Sequence, residues 1–279
     1  MSYTFNTALA GTLRKIRAVI LDFDGTLYDY KNIAYRIISA NPLDIYLVWS
    51  ERRTRKVFAG KDFGTPENYY REYFIHLGKL CHKSAETMRN WYNKRYLPRM
   101  TRVLGKHFEL RPGTAELFDS LAKALSTENS DLRGAAVYSD YPCLKERMAI
   151  MGLESEESIP LFGPESFGAQ KPSPGPFKGI ARKLGVPPEE ILVIGDREDT
   201  DGRGALAAGM YFFRLIDGRR RYFRLDPDRI PPPGTKLRGA AREILQPEDP
   251  RYLGSGTWET VLNLMNFLLN LLQQGRDSA

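Results

Sequence analysis

Several acids, a lysine and a serine occur in this chain where an apolar run gives out. Ala18 to Leu21 ends on Asp22-Phe23-Asp24-Gly25-Thr26-Leu27, Gly134 to Tyr138 ends on Ser139-Asp140, and Ile191 to Ile194 ends on Gly195-Asp196-Arg197-Glu198-Asp199-Thr200-Asp201. Between them, Gln170-Lys171-Pro172-Ser173-Pro174 sets a lysine among prolines ahead of a helical stretch. A placed carboxylate can attack an electrophile or carry a proton. Clustered oxygen donors with few nitrogens or thiolates suit Mg²⁺. An ammonium fixed beside prolines can offset negative charge growing on transferring phosphoryl oxygens. Asp22 and Asp24 are two apart and would diverge in a continuing strand, but Gly25 lets the backbone turn so that both border one pocket.

These groups need a scaffold that delivers them to one place. The runs at 18–21, 134–138, 191–194 and 210–215 read as buried strands, since a strand covered on both faces needs no polar alternation. Helical segments at 115–125, 175–184 and 204–209 lie between them, which predicts an α/β chain with a Rossmann-like doubly wound parallel sheet as its core. The acids then fall at carboxyl ends of strands, where open α/β sheets bind ligands. Residues 29–110 carry helix formers and no alternating strand pattern, with helices expected near 31–57, 67–79 and 84–104 and a break in the first at Asn41-Pro42. The expected division is a core of residues 1–28 and 111–279 with a helical insertion at 29–110.

Asp-Phe-Asp-Gly-Thr-Leu after an apolar strand resembles the first motif of the haloacid dehalogenase superfamily, phosphatase type. Ser139 after its strand resembles the second motif, Lys171-Pro172 with Pro176-Phe177 the third, and Gly195-Asp196 with Asp201 the fourth. The resemblance covers roughly residues 14–28 and 111–216, and the insertion stands where that family's α-helical first cap does. It implies that Asp22 is the nucleophile and Asp24 the general acid and base, while Ser139 and Lys171 hold the phosphoryl oxygens. It also implies Mg²⁺ as cofactor, held by Asp22, the Asp24 backbone carbonyl and Asp196. Asp201 matches the second acid of the fourth motif, and Asp199 stays open because members space this acid differently. The implied activity is Mg²⁺-dependent hydrolysis of a small anionic phosphate ester through an aspartyl phosphate: a sugar phosphate, a phosphoglycolate-like acid or a nucleotide. A phosphomutase of the same family is the alternative. A dehalogenase needs neither Asp24 nor the acidic fourth motif.

Substrate contacts are expected from Thr26 and Asp140 beside the motifs, and from Lys61, Arg52 and Arg55 in the insertion, the two arginines being three apart on one helix face. The insertion has sixteen Lys or Arg against eight Asp or Glu, a net of +8, whereas the 279-residue chain has 41 against 34, a net of +7. All three histidines and fourteen of the 32 aromatic residues also lie there. Such a surface favours anionic partners. Trp49, Arg52, Arg53, Arg55 and Lys56 suggest a reading from another class, a nucleic-acid or protein-binding module, although a nucleic-acid partner is not expected.

Cys81 and Cys143 are the only cysteines and form no close-spaced pattern, so a reducing compartment, the cytoplasm, is expected. Residues 1–15 lack the long apolar core of a signal peptide and read as a short extension. The most apolar stretch, Trp258 to Leu272, is too short to span a bilayer and carries Asn263, Asn266 and Asn270 at helical spacing. It reads as an amphipathic helix docked on the core, with a homodimer seam as its other use. The Arg- and Pro-rich segment 218–256 is longer than a usual connection and reads as an ordered insertion or a flap.

Overall fold

The computed structural model describes residues 7–40, 42–216 and 249–274. Six strands, β1 (Ala18–Asp22), β2 (Gly134–Tyr138), β3 (Leu161–Phe162), β4 (Ile191–Gly195), β5 (Tyr211–Leu215) and β6 (Tyr252–Gly256), form one sheet in the order β3-β2-β1-β4-β5-β6. Every pairing is parallel. Because successive side chains point to opposite faces, Val19 and Leu21 join one hydrophobic cluster and Ala18 and Ile20 another. Both faces are therefore covered, which is why β1, β2 and β4 are buried at every position and read as unbroken apolar runs.

The helices in chain order are α1 (Thr7–Leu13), α2 (Ile33–Ser39), α3 (Ile45–Phe58), α4 (Pro66–Cys81), α5 (Ala85–Trp91), α6 (Leu97–His107), α7 (Thr114–Ser126), α8 (Leu144–Ile150), α9 (Pro164–Phe167), α10 (Pro174–Leu184), α11 (Arg203–Ala208) and α12 (Trp258–Gln274). Phe177, Ile180 and Ala205 of α10 and α11 cover the Ala18 and Ile20 face; Leu117, Leu121, Leu264 and Leu268 of α7 and α12 belong with the other. In α12 the predicted stripe is present: Val261, Leu264, Met265, Leu268 and Leu272 are buried while Asn263, Asn266 and Asn270 are exposed. Its apolar face is thus used within the chain, so a homodimer through this helix would have to use its asparagine face. No helix among the described residues is long and apolar enough to cross a membrane.

The helical insertion begins after β1 and returns before α7. Its two chain passages pair at the root, where Tyr28 bridges Leu110 and Arg111 N–H donates to the Leu27 carbonyl at 2.8 Å. The first predicted helix is divided as expected, with Pro42 opening a short 3₁₀ turn (Pro42–Asp44) between α2 and α3; Asn41 lies outside the described residues. α4 starts where Thr65 caps the Asn68 N–H at 3.2 Å and Pro66 takes the first position, a place where its missing N–H costs nothing. The span predicted as one helix over 84–104 stays helical from Ala85 to His107, with a π-helical turn at Tyr92–Tyr96 joining α5 to α6.

Two strands have no clear sequence signal. β3 is two residues long, and β6 reads Tyr-Leu-Gly-Ser-Gly, with no apolar run. β6 corrects the reading of 218–256 as a single insertion or flap, since 252–256 is the sheet's edge strand; residues 217–248 lie outside the described residues. The N-terminal extension includes α1, whose Leu13 is fully buried.

The interior of the insertion holds a charge. Glu51 on α3 is wholly buried and accepts from Arg55 Nη2 at 2.5 Å, Tyr73 Oη at 2.8 Å and Tyr96 Oη at 3.1 Å. Arg55 also donates from Nη1 to the Asp140 carbonyl at 2.8 Å and stacks 3.9 Å from the Tyr141 ring centroid. Removing one partner of such a pair strands the other charge. Glu51→Ala is therefore expected to cost about 3–5 kcal/mol of stability, read as a shift of the urea midpoint; a shift of a few tenths of a molar or less would show that the network carries little.

Candidate active site

β1 and β4 are neighbours at the point where the strand order reverses, so Asp22 and Asp196 border the crevice that a doubly wound sheet opens there. Gly25 makes the turn that follows β1. Its φ is +97°, and a Cβ there would come within 2.6 Å of Asp196 Oδ2 and still closer to the Tyr30 ring, so no larger side chain fits. At Gly195 a Cβ would lie 2.6 Å from the Asp201 Cβ. A π-helical turn at Glu198–Gly202 then carries Asp201 back toward the strand end, where its Oδ2 accepts the Arg197 N–H at 3.2 Å.

Asp22 is 5 % exposed and its two oxygens have different partners. Lys171 Nζ lies 2.5 Å from Oδ1, and Thr26 Oγ1 donates to Oδ2 at 2.8 Å. The same ammonium is 2.7 Å from Asp201 Oδ1, and the Lys171 N–H donates to Asp140 Oδ1 at 2.9 Å. Burial pushes the Asp22 carboxyl well above the usual carboxylate range, and Asp201, Asp196 and Asp24 push the same way against Lys171. Burial alone would lower Lys171, but the carboxylates of Asp201, Asp22 and Asp140 outweigh it and hold the ammonium above its ordinary value.

Asp24 faces another set of donors. Tyr28 Oη donates to its Oδ1 and Ser139 Oγ to its Oδ2, each at 2.6 Å, and the Arg147 guanidinium on α8 pairs with Oδ1. Arg147 also donates to Ser139 Oγ at 2.9 Å and to the Tyr141 carbonyl at 3.2 Å, and it is 1 % exposed. Burial and the neighbouring Asp24 hold the Tyr28 phenol well above its ordinary value, so Tyr28 stays protonated as a donor.

Asp22, Asp196 and Asp201 each offer an oxygen within 4.8 Å of the others, and all three are buried. An all-carboxylate set with one ammonium among it is short of positive charge, and hard oxygen donors of this kind fit Mg²⁺. Asp199 is ion-paired with Arg197 at 2.8 Å instead and lies outside this group. The crevice opens into a cavity of about 400 Å³ bordered by Asp22, Asp24, Asp140, Arg147, Lys171 and Arg52. Among the other residues expected to contact substrate, Thr26 is buried on Asp22, Arg55 is spent on Glu51 and Asp140, and Lys61 is exposed, 5.7 Å from the Phe58 ring centroid. None of these three borders the cavity. The Ser139 hydroxyl is fully buried against Asp24 and Arg147.

Arg147 and Tyr28 are the site residues that motif spacing does not announce. Arg147 is found by its packing: with Leu144 and Met148 it occupies the buried face of α8, so the arginine stands at an apolar position.

A raised Asp22 has a consequence for the metal-free protein. Folding favours its protonated form, so its contribution to stability is complete below the unfolded value near 3.8 and is lost as pH rises through the raised folded value. Asp22→Asn imitates the protonated form. In EDTA the variant is expected to melt above the wild type at neutral pH, with the gap closing toward pH 4. Mg²⁺ should raise the wild-type midpoint more than the variant's. Equal midpoints at neutral pH in EDTA would contradict the strained-carboxylate reading.

A parallel 3-2-1-4-5-6 sheet with acids on the strand ends and a helical insertion after β1 defines a doubly wound α/β protein whose carboxylates cluster at its topological switch point. Residues 16–209 match the profile of the haloacid dehalogenase-like hydrolases, and the chain belongs to that family. A 55-residue stretch is 49 % identical to glyceraldehyde 3-phosphate phosphatase of Methanopyrus kandleri, over 20 % of this chain and 24 % of that protein. The match thus spans about a quarter of that relative's length. Among solved structures, a predicted phosphoglycolate phosphatase from Haemophilus somnus 129PT superposes with a TM-score of 0.50 at 20 % identity, over 90 % of this chain and 98 % of that one. A family hydrolase from Deinococcus radiodurans R1, with bound phosphate and sodium, gives 0.50 at 20 % over 93 % and 98 %. A 2-haloacid dehalogenase from Pseudomonas syringae pv. tomato DC3000 gives 0.51 at 18 % over 77 % and 92 %. At these identities the structures share the fold.

Proposed function

We propose that the protein is a phosphomonoester hydrolase that works through a phosphoryl group carried on Asp22, with residues 29–110 as a cap over the site. The observation that supports this best is the convergence of Asp22, Lys171 and Asp201 within ion-pair distance from three separate segments. The name of the partial relative and the phosphate in the Deinococcus structure agree with a phosphate ester as substrate.

In the first step an Asp22 oxygen forms a bond to phosphorus as the ester P–O bond breaks, and Asp24 gives the departing alkoxide its proton. In the second, Asp24 takes a proton from a water that attacks the acyl phosphate, releasing inorganic phosphate and restoring Asp22. Thr26 fixes one Asp22 oxygen and so orients the other. Lys171 holds its charge beside Asp22 and offsets negative charge on the phosphoryl oxygens. Asp22, Asp196 and Asp201 would hold Mg²⁺, which when bound neutralises the repulsion between an anionic nucleophile and an anionic phosphate. The Gly60 N–H donates to the Lys171 carbonyl at 3.2 Å and the Phe63 N–H to the Gly168 carbonyl at 3.1 Å, so the cap rests directly on the Lys171 loop and helps exclude water.

Release of phosphate from p-nitrophenyl phosphate tests the proposal. Activity should vanish in EDTA and return with Mg²⁺, whereas excess Ca²⁺ should inhibit because it prefers more ligands at longer distances. Undiminished turnover after exhaustive chelation would sink the metal-assisted reading.

A further inference from the structure

Helix α3 carries polar groups inward and apolar groups outward. Its buried side holds Ser50, Glu51 and Thr54 beside Val48 and Phe58, while Ile45, Tyr46, Trp49 and Val57 stand exposed. At about 3.6 residues per turn, those four fall on one arc of the helix with Arg52, Arg53 and Lys56 among them. Leu43, in the 3₁₀ turn that leads into α3, is 90 % exposed; Tyr46 is 55 % and Trp49 53 % exposed. Of the seven large apolar side chains exposed among the described residues, six lie between residues 35 and 57. Apolar exposure gathered on one part of the surface marks a face that something else covers.

The charge around this face selects an anionic partner. Both acids of residues 42–61 are buried and paired, Asp44 with Arg95 and Arg99 and Glu51 with Arg55. The exposed Arg53, Lys56 and Lys61 are therefore balanced by no exposed acid of that segment. Tyr46 Oη donates to the Leu80 carbonyl at 2.6 Å, which brings the end of α4, with exposed Lys79 and Lys83, alongside. Cations converge there: His76, within 3.1 Å of Thr54 Oγ1 on α3, is held below its ordinary value by burial and then by Lys61, Arg53 and Lys79. A second copy docked through the same face would meet like charge.

Among anionic partners, the apolar groups favour lipid. Leu43, Ile45 and Val57 are aliphatic and gain little from a sugar-phosphate backbone or from bases, whereas a hydrocarbon layer removes them from water. The cations are interspersed with the apolar side chains, while the centre of a protein interface is depleted of charge. At a bilayer the long stems lie along the apolar groups and the charged heads reach the phosphates. Trp and Tyr settle at headgroup level, and the Arg53 guanidinium already lies 5.8 Å from the Trp49 ring centroid.

We infer that the outward face of α3, with the Leu43 turn, docks the cap on an anionic lipid surface. Leu43, Tyr46 and Trp49 enter the headgroup region, and Arg53, Lys56 and Lys79 bind lipid phosphates. The inference stands apart from the phosphomonoesterase reading, because none of these side chains borders the cavity.

Flotation of the full chain with vesicles of phosphatidylcholine, with and without phosphatidylglycerol, tests it, with tryptophan fluorescence followed in parallel. The expected result is binding to the mixed vesicles that weakens as salt rises, little binding to phosphatidylcholine alone, and a blue shift of emission. Trp49→Phe should abolish the shift, since Trp91 is buried and Trp258 is held on the Pro112 carbonyl at 2.7 Å. Arg53→Gln and Lys56→Gln should each weaken binding about five-fold, and Leu43→Ser at least about ten-fold. All these positions are exposed, so melting midpoints and turnover of p-nitrophenyl phosphate should hold. No binding to mixed vesicles would overturn the inference, and so would binding that Leu43→Ser leaves unchanged, because charge alone would then hold the protein. Tighter binding of a single-stranded oligonucleotide than of vesicles would give the face to nucleic acid, and a dimer in analytical ultracentrifugation that Leu43→Ser dissociates would give it to a second copy; either overturns the lipid assignment.

Discussion

Asp22→Asn is expected to lower kcat by at least on the order of 10⁴-fold, the scale of loss when an attacking group is removed. The amide is nearly isosteric with the acid, and its oxygen can still accept from Thr26 or face Lys171, yet it has no charge with which to attack phosphorus. The variant should fold, since the side chain sits at the end of a strand buried at every position, and burial already favours the uncharged form. Steady-state release of p-nitrophenolate, with circular dichroism as the control for folding, measures the effect. A residual rate within ten-fold of wild type would remove Asp22 from the role of nucleophile.

The second large effect is expected at Arg147. Its guanidinium ties Asp24 and Ser139 together from a position that is 1 % exposed. With Arg147→Met, Asp24 keeps only Tyr28 and Ser139 and loses the partner that fixes its oxygens. A positioned acid and base contributes about 10²–10⁴-fold, so a loss of about 10²-fold in kcat is expected for an alkyl phosphate. p-Nitrophenolate leaves without needing a proton, so the loss on p-nitrophenyl phosphate should be much smaller. Stability should fall by about 3 kcal/mol as a buried ion pair is broken, and Arg147→Lys should recover part of both losses. Equal losses on both substrates would make Arg147 a structural residue that does not act through Asp24.

Much of the core site could be read from the chain because each of its groups follows a signal that physics enforces. Asp22, Ser139 and Asp196 come directly after runs that must be apolar, since strands covered by helices on both faces have no polar side. Lys171 is marked by the prolines that open α10. The choice between Asp199 and Asp201 was not available from spacing. It depends on a π-helical turn that carries Asp201 inward and leaves Asp199 beside Arg197.

The cap was legible as helices and much less so as a site. Arg52 and Arg55 are three apart, but Glu51 sits one turn before Arg55 and draws its guanidinium into the interior, so Arg52 alone borders the cavity. A basic stretch records charge and says nothing about which charges are already paired. Lys61 is exposed because the Gly60–Gly64 loop meets the core through backbone hydrogen bonds, which need no particular side chain. Arg147 lay hidden for the opposite reason: in Leu144-Lys145-Glu146-Arg147-Met148 it looks like one more solvated charge of a surface helix, and only the burial of residues 144, 147 and 148 on one face singles it out.

The central claim, a phosphoryl group carried on Asp22, is tested most directly by acid-quenching the enzyme during turnover of a phosphorus-labelled ester and mapping the label by mass spectrometry of its peptides. The prediction is one phosphoryl group on the peptide containing Asp22, formed within a single turnover, lost on chase with unlabelled substrate, and absent from Asp22→Asn. Rapid turnover with no label on the protein, or label on a peptide lacking Asp22, would contradict it.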